Sequence, residues 1–188
     1  TQSRSSAASD VYKRQVIYQI SDMPVLFGEQ EIAANAFSVD STFFKIFPYR
    51  VIAGSGRIVR SRDVVITRSF WKKKLGGKNA IGATFKNTKG NKFTIIGVVD
   101  DPDTKTSWMP DIFMSDELDE FLFFDPIYAM LMAPDTDIAL LNKKYSKEHP
   151  RSKWSTYETV RYQYLPLKDL AVIYHPTLSR VGITYVYN

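Results

Sequence analysis

The sequence contains no cysteine. That removes disulfides, thiolate metal sites and cysteine nucleophiles from consideration. Histidine is scarce. His149 and His175 each stand beside a proline in polar surroundings. Neither lies in a Gly-x-Ser-x-Gly or His-Glu-x-x-His context, so both read as surface or loop residues rather than as a base or ligand. No apolar run reaches the roughly 20 residues that a bilayer-spanning helix needs. The first residues are polar and lack the apolar stretch of a signal peptide, so the chain as it stands reads as soluble. Phosphate loops are missing too: Gly54-Ser55-Gly56 and Gly76-Gly77 match neither a P-loop nor a dinucleotide fingerprint.

What is present points to a packed protein. Hydrophobic residues make up 44% and aromatic residues 14%, enough apolar material for a core and too much for global disorder. A length of 188 residues suits one domain or two small lobes. The net charge of +5 is mild and fits a nucleic-acid surface, an anionic membrane surface or nothing in particular; the basic residues are scattered rather than striped, so the last is the expectation.

Residues 1–15 are small and polar without periodicity and read as a disordered or non-native tail. Alternation predicts strands at 16–20 and 31–39. Asp40 and Ser41 offer caps for a short helix over 42–46, with Phe43, Phe44 and Phe47 as its apolar side and Pro48 as its stop. Residues 63–67 give a buried-strand signal. Thr67 or Ser69 can cap a following helix through Leu75, which Gly76-Gly77 ends. Strands are expected at 81–86 and 92–100 around a turn over 87–91 that contains Gly90. Further strands are expected at 111–114, 127–132 and 159–165. A helix is expected over 136–148, with Ile138, Leu141 and Tyr145 at helical spacing.

The fold class that follows is α+β in two lobes. A β-α-β lobe would form from the flanks, 16–56 with 123–174, and a β-rich lobe from the insertion at 57–122.

Several motifs have two readings. Asp100-Asp101-Pro102-Asp103 could hold a hard cation, but it lacks the spacing and closing Glu of a calcium loop, so a solvated turn is the expectation. Trp71 with Lys72-Lys73-Lys74 could suggest nucleic acid. On a helix the lysines face different ways and Trp71 packs inward, so a solvated face is expected. Trp108-Met109-Pro110 follows a polar loop and either anchors a partner or plugs the seam between lobes. Phe121-Leu122-Phe123-Phe124 is either a buried linker or a contact surface. Trp108, Met109, Phe121 and Phe123 are therefore the candidate partner-binding residues; no catalytic, cofactor or metal residue is expected.

The order of these motifs resembles a known family. Phe37-Ser38-Val39-Asp40-Ser41-Thr42-Phe43-Phe44-Lys45-Ile46-Phe47 is followed by Val51-Ile52-Ala53-Gly54, Asp63-Val64-Val65-Ile66-Thr67 and Trp71-Lys72-Lys73-Lys74-Leu75-Gly76-Gly77. Ala80-Ile81-Gly82-Ala83-Thr84-Phe85 and Phe93-Thr94-Ile95-Ile96-Gly97-Val98-Val99-Asp100 come next, then Tyr164-Leu165-Pro166-Leu167-Lys168-Asp169-Leu170. This succession resembles the MacB-like periplasmic core domain of FtsX/MacB-type ABC transporter permeases. One departure is Ala80, where the family usually has Pro before Ile-Gly.

The resemblance implies an extracytoplasmic, non-enzymatic domain at the periplasmic face of the bacterial inner membrane, inserted between two membrane helices. It would relay ATP-driven helix movement and engage an exported substrate or a periplasmic adaptor. Implied partners are an ATP-binding subunit or domain reached through the membrane part and a second permease copy in a homodimer; no cofactor and no nucleic acid are implied. Residues 175–188, with tyrosines at interfacial depth, would approach a membrane helix; an edge strand is the other reading. Val16 and Tyr174 should then lie at one end of the molecule. A free-standing envelope module for a peptide, lipid or glycan would instead need a deep apolar pocket. A hydrolase would need a nucleophile beside a base.

Overall fold

The computed structural model describes residues 11–40, 42–77, 79–102, 109–115, 127–132, 136–145, 148–150, 159–161, 163–166 and 183–187. The chain divides into two compact units, one of Ile17–Phe124 and one of Thr1–Val16 with Asp125–Asn188. The architecture is strand-rich α+β with three short helices among the described residues.

The larger unit takes β1 (Val11–Phe27) from Ile17 onward, then β2 (Gln30–Val39), α1 (Phe43–Ile46) and β3 (Val51–Gly54). It continues through β4 (Asp63–Thr67), α2 (Arg68–Lys74), β5 (Thr84–Asn87), β6 (Lys92–Val99) and β7 (Ile112–Ser115). Its pairing closes on itself. β1 pairs β2, β2 pairs β7, β7 pairs β4, β4 pairs β6, β6 pairs β5, and β5 returns to β1. β3 adds to β6 beyond β5, so β6 is paired along both edges.

Period-2 alternation explains which residues fill this ring. Ile32, Ala34 and Ala36 of β2, Val64 and Ile66 of β4, Phe93 and Ile95 of β6, and Ile112 and Met114 of β7 form one buried cluster. On the opposite face Phe37 of β2, Val65 of β4 and Phe113 of β7 are also buried, and α1 lays Phe43 and Phe44 over Phe113. Each such phenylalanine stabilises the fold by roughly 1.5–3 kcal/mol through burial.

The helix α2 starts where expected. Thr67 is its N-cap and accepts a hydrogen bond from the Phe70 amide at 3.4 Å. Gly76 and Gly77 end it with φ of 65° and 67°, a conformation that favours glycine. Asp40 accepts from the Thr42 amide ahead of α1; Ser41 lies outside the described residues.

The smaller unit holds β8 (Ile127–Met132), α3 (Ile138–Tyr145), β11 (Gln163–Pro166) and β12 (Ile183–Tyr187). β12 lies between β8 and β11 and is parallel to both. A separate antiparallel pair joins β9 (Glu148–Pro150) to β10 (Thr159–Arg161). The Asn142 amide of α3 acts as a clasp on β11: it donates to the Tyr164 carbonyl at 2.8 Å and accepts from the Tyr164 amide at 2.7 Å.

Four expectations need correction. Residues 17–54 do not group with the C-terminal flank, because β2 pairs β7 and β3 pairs β6 within the central unit. The proposed tail ends early, since β1 already runs from Val11. Residues 183–187 form a strand, the second reading of this segment, but it lies between β8 and β11 rather than at an edge; Ile-Thr-Tyr-Val-Tyr has the β-branched and aromatic content of a strand. β5 begins at Thr84 rather than 81, because Gly82 turns the chain at φ 83° and donates to the Ile95 carbonyl at 2.8 Å.

Candidate functional site

Of the four sequence-selected residues, Met109 is described, and it is 49% exposed. Trp108, Phe121 and Phe123 lie outside the described residues, as does Tyr174. The position of Met109 is set by its neighbours. Pro110 is buried, and Asp111 is tied down on both sides. The Asp111 amide donates to the Asn35 carbonyl at 2.7 Å, and the Asn35 amide donates to the Asp111 carboxylate at 2.9 Å. The Thr67 amide donates to the Asp111 carbonyl at 3.0 Å. Burial raises the Asp111 carboxyl above its ordinary range, against the opposing pull of the Asn35 amide and of Lys74 and Lys73. Met109 thus projects from a backbone pinned to β2 and to the end of β4.

The lysine run behaves as a solvated face. Lys72, Lys73 and Lys74 are exposed, while Trp71 packs on the core. The carboxylate cluster is engaged by the protein itself. Asp100 accepts from Arg50 and, at 3.0 Å, from Arg68. The Arg50 hydrogen bond is the largest influence holding the Asp100 carboxyl below its ordinary range. Asp101 accepts from the Ser69 amide at 3.1 Å and from the Ser69 hydroxyl at 3.0 Å, so it supports the start of α2. Among the described residues no group of three or more His, Asp or Glu could hold a metal ion. His149 sits in β9 opposite Val160; His175 lies outside the described residues.

Sequence reasoning missed one feature beside this region. Tyr49 joins Phe43, Phe44 and Phe113 in an aromatic cluster, its ring 5.1 Å from that of Phe113. Burial, with a smaller contribution from Asp101, pushes the Tyr49 phenol up to about 12. The run Phe43-Phe44, Phe47, Tyr49 was the signal. Its partner Phe113, far along the chain, carried none.

A family model described as the MacB-like periplasmic core domain matches residues 4–144. Among solved structures, a domain of a protein described as a permease from Porphyromonas gingivalis superposes with a TM-score of 0.59 at 16% identity, covering 72% of this chain and 68% of its own. The periplasmic region of MacB from Actinobacillus actinomycetemcomitans gives 0.57 at 17% identity, covering 73% and 65%. The extracellular domain of the noncanonic ABC-type transporter YknZ from Gram-positive bacteria gives 0.51 at 14%, covering 72% and 76%. At these identities the superpositions establish a shared fold. The chain spans from just under two thirds to about three quarters of the length of these chains. Comparison with curated proteins gives no match. Among the described residues no helix is long and apolar enough to cross a membrane.

Proposed function

The chain belongs to the MacB-like periplasmic core domain family, and from that premise we propose that it is the extracytoplasmic domain of an ABC transporter permease that relays ATP-driven movement of membrane helices. The family match over residues 4–144 is the observation that carries this reading. In this reading the domain also engages an exported substrate or a periplasmic adaptor, on the periplasmic face of the inner membrane, in a permease that works as a pair. The ATP-binding subunit or domain acts through the membrane part.

The larger unit suits such a relay. Force passes through a body only as far as the body resists deformation, and a close-packed interior has low compressibility. Six strands closed by hydrogen bonds around one apolar cluster meet that requirement. Met109, exposed and held by a pinned backbone, supplies an apolar contact for a partner.

Two measurements test the proposal. The reading frame around this segment should carry apolar spans of about 20 residues on both sides; a frame without them favours a free-standing binding module. The second uses the absence of cysteine, which makes Met109→Cys a single labelling site within this chain. In the assembled permease, energy transfer between that label and one on the ATP-binding subunit should change when ATP is added. Unchanged transfer during continuing hydrolysis would remove the relay.

A further inference from the structure

The β5–β6 hairpin carries charge that the fold does not balance. Its register sets Phe85 opposite Phe93 and Lys86 opposite Lys92. Phe85 and Phe93 are buried with ring centroids 5.4 Å apart, so the two lysines stand on the other face, where both are exposed. Like charges directly opposite each other on an antiparallel pair are destabilising. Lys89 adds a third exposed ammonium at the tip. The ion pairs found among the described residues, Arg50 and Arg68 on Asp100, leave all three lysines without a carboxylate.

The hairpin also holds this charge in a fixed frame. Asn87 is 5% exposed, and its side-chain oxygen accepts from the amides of Lys89 at 3.1 Å and Asn91 at 2.9 Å. The Gly90 amide donates to the Asn87 carbonyl at 2.9 Å, with Gly90 at φ 79°. Little backbone ordering therefore remains when a partner arrives.

The side chains select the class of partner. Protein interfaces concentrate aromatic residues, Met and Arg at their centres and are depleted in Lys. The exposed face here presents lysines between Thr84 and Thr94, and none of the exposed large hydrophobic residues lies on the hairpin. Strongly hydrated ammonium groups on a face without an apolar anchor suit a layer of hydrated phosphates. We propose that the β5–β6 hairpin is a docking surface for the phosphate headgroups of an anionic lipid bilayer, seated by Lys86, Lys89 and Lys92. The site stands apart from the relay reading: it binds or fails to bind whether or not the domain moves with ATP.

Co-sedimentation of the 188-residue chain with phosphatidylglycerol vesicles tests this directly, with phosphatidylcholine vesicles as the control. The chain should sediment with the anionic vesicles, release as sodium chloride rises, and ignore the neutral ones. Lys89→Gln should weaken binding roughly fivefold, the equivalent of about 1 kcal/mol for one lysine near the surface. Lys86→Glu should weaken it further. That same variant places opposite charges across the strand pair, so without lipid its urea midpoint should rise. A purely structural role for Lys86 would move binding and stability together. The proposal fails if anionic vesicles do not retain the chain, or if both variants bind like the wild type. It fails equally if immobilised polyglutamate retains the chain and vesicles do not, which would make the partner an acidic protein. Release by inorganic phosphate well beyond chloride of equal ionic strength would also overturn it, in favour of a discrete phosphate pocket.

Discussion

At the residue scale, Gly97 and Gly90 are required for different reasons. A Cβ on Gly97 would lie 1.8 Å from the Ser55 carbonyl oxygen, and that oxygen belongs to backbone that cannot swing aside. Gly97→Ala should cost about 3 kcal/mol, near the top of ordinary single-substitution effects. Gly90→Ala meets no atom within 4 Å and bears only the positive φ, so its cost should be about 1 kcal/mol. Urea denaturation of both variants checks the ranking; equal costs would contradict the close approach at Gly97. Tyr49 gives the alkaline prediction. Its folded value is about 12 against an ordinary 10.0. The folded state thus holds the proton more tightly, and this contribution is complete below pH 10 and lost as pH rises towards 12. Tyr49→Phe should flatten that part of the stability profile, read from urea midpoints across the same range. In the sequence, Thr67 and Gly76-Gly77 announced the ends of α2 through their own chemistry. Asp101 could not be read the same way, because it reaches Ser69 from 32 positions away.

At the element scale, the clasp on β11 is a specific contact among the described residues of the smaller unit. Asn142 meets both the amide and the carbonyl of Tyr164, as a neighbouring strand would. Asn142→Leu keeps the approximate volume and removes both bonds. It should destabilise that unit by about 1–3 kcal/mol, since a backbone group stripped of its partner loses its compensation. A chemical-denaturation midpoint unchanged by the substitution would show that water replaces the amide at no cost. Elements built on unbroken apolar runs were legible in full: β4 and β8 begin and end where the pattern places them. β5 was not, because Ile81 looks like strand while Gly82 turns the chain before the ladder starts. α3 is shorter at both ends than its spacing implied. β12 stood between two readings because tyrosines suit a membrane interface and a strand equally well.

At the scale of the whole molecule, the sequence pattern conveyed the strand-rich α+β class but not the grouping of strands. Local alternation marks a strand without naming its partner, and β2 pairs with β7 across more than 70 intervening positions. The ring and its core close within Ile17–Phe124, so a fragment of that span should fold by itself with a cooperative urea transition. Within it, amides of β6 should exchange more slowly than those of β3, because β6 is paired along both edges and β3 is paired with β6 alone among the described strands; equal exchange in the two would refute that order. A hoop of staves has no loose end to peel. Tension drawn along β1 loads its bonds to β2 and to β5 at once, and those bonds must slide together rather than open one after another. Such a body stays stiff under small pulls and gives way late and abruptly.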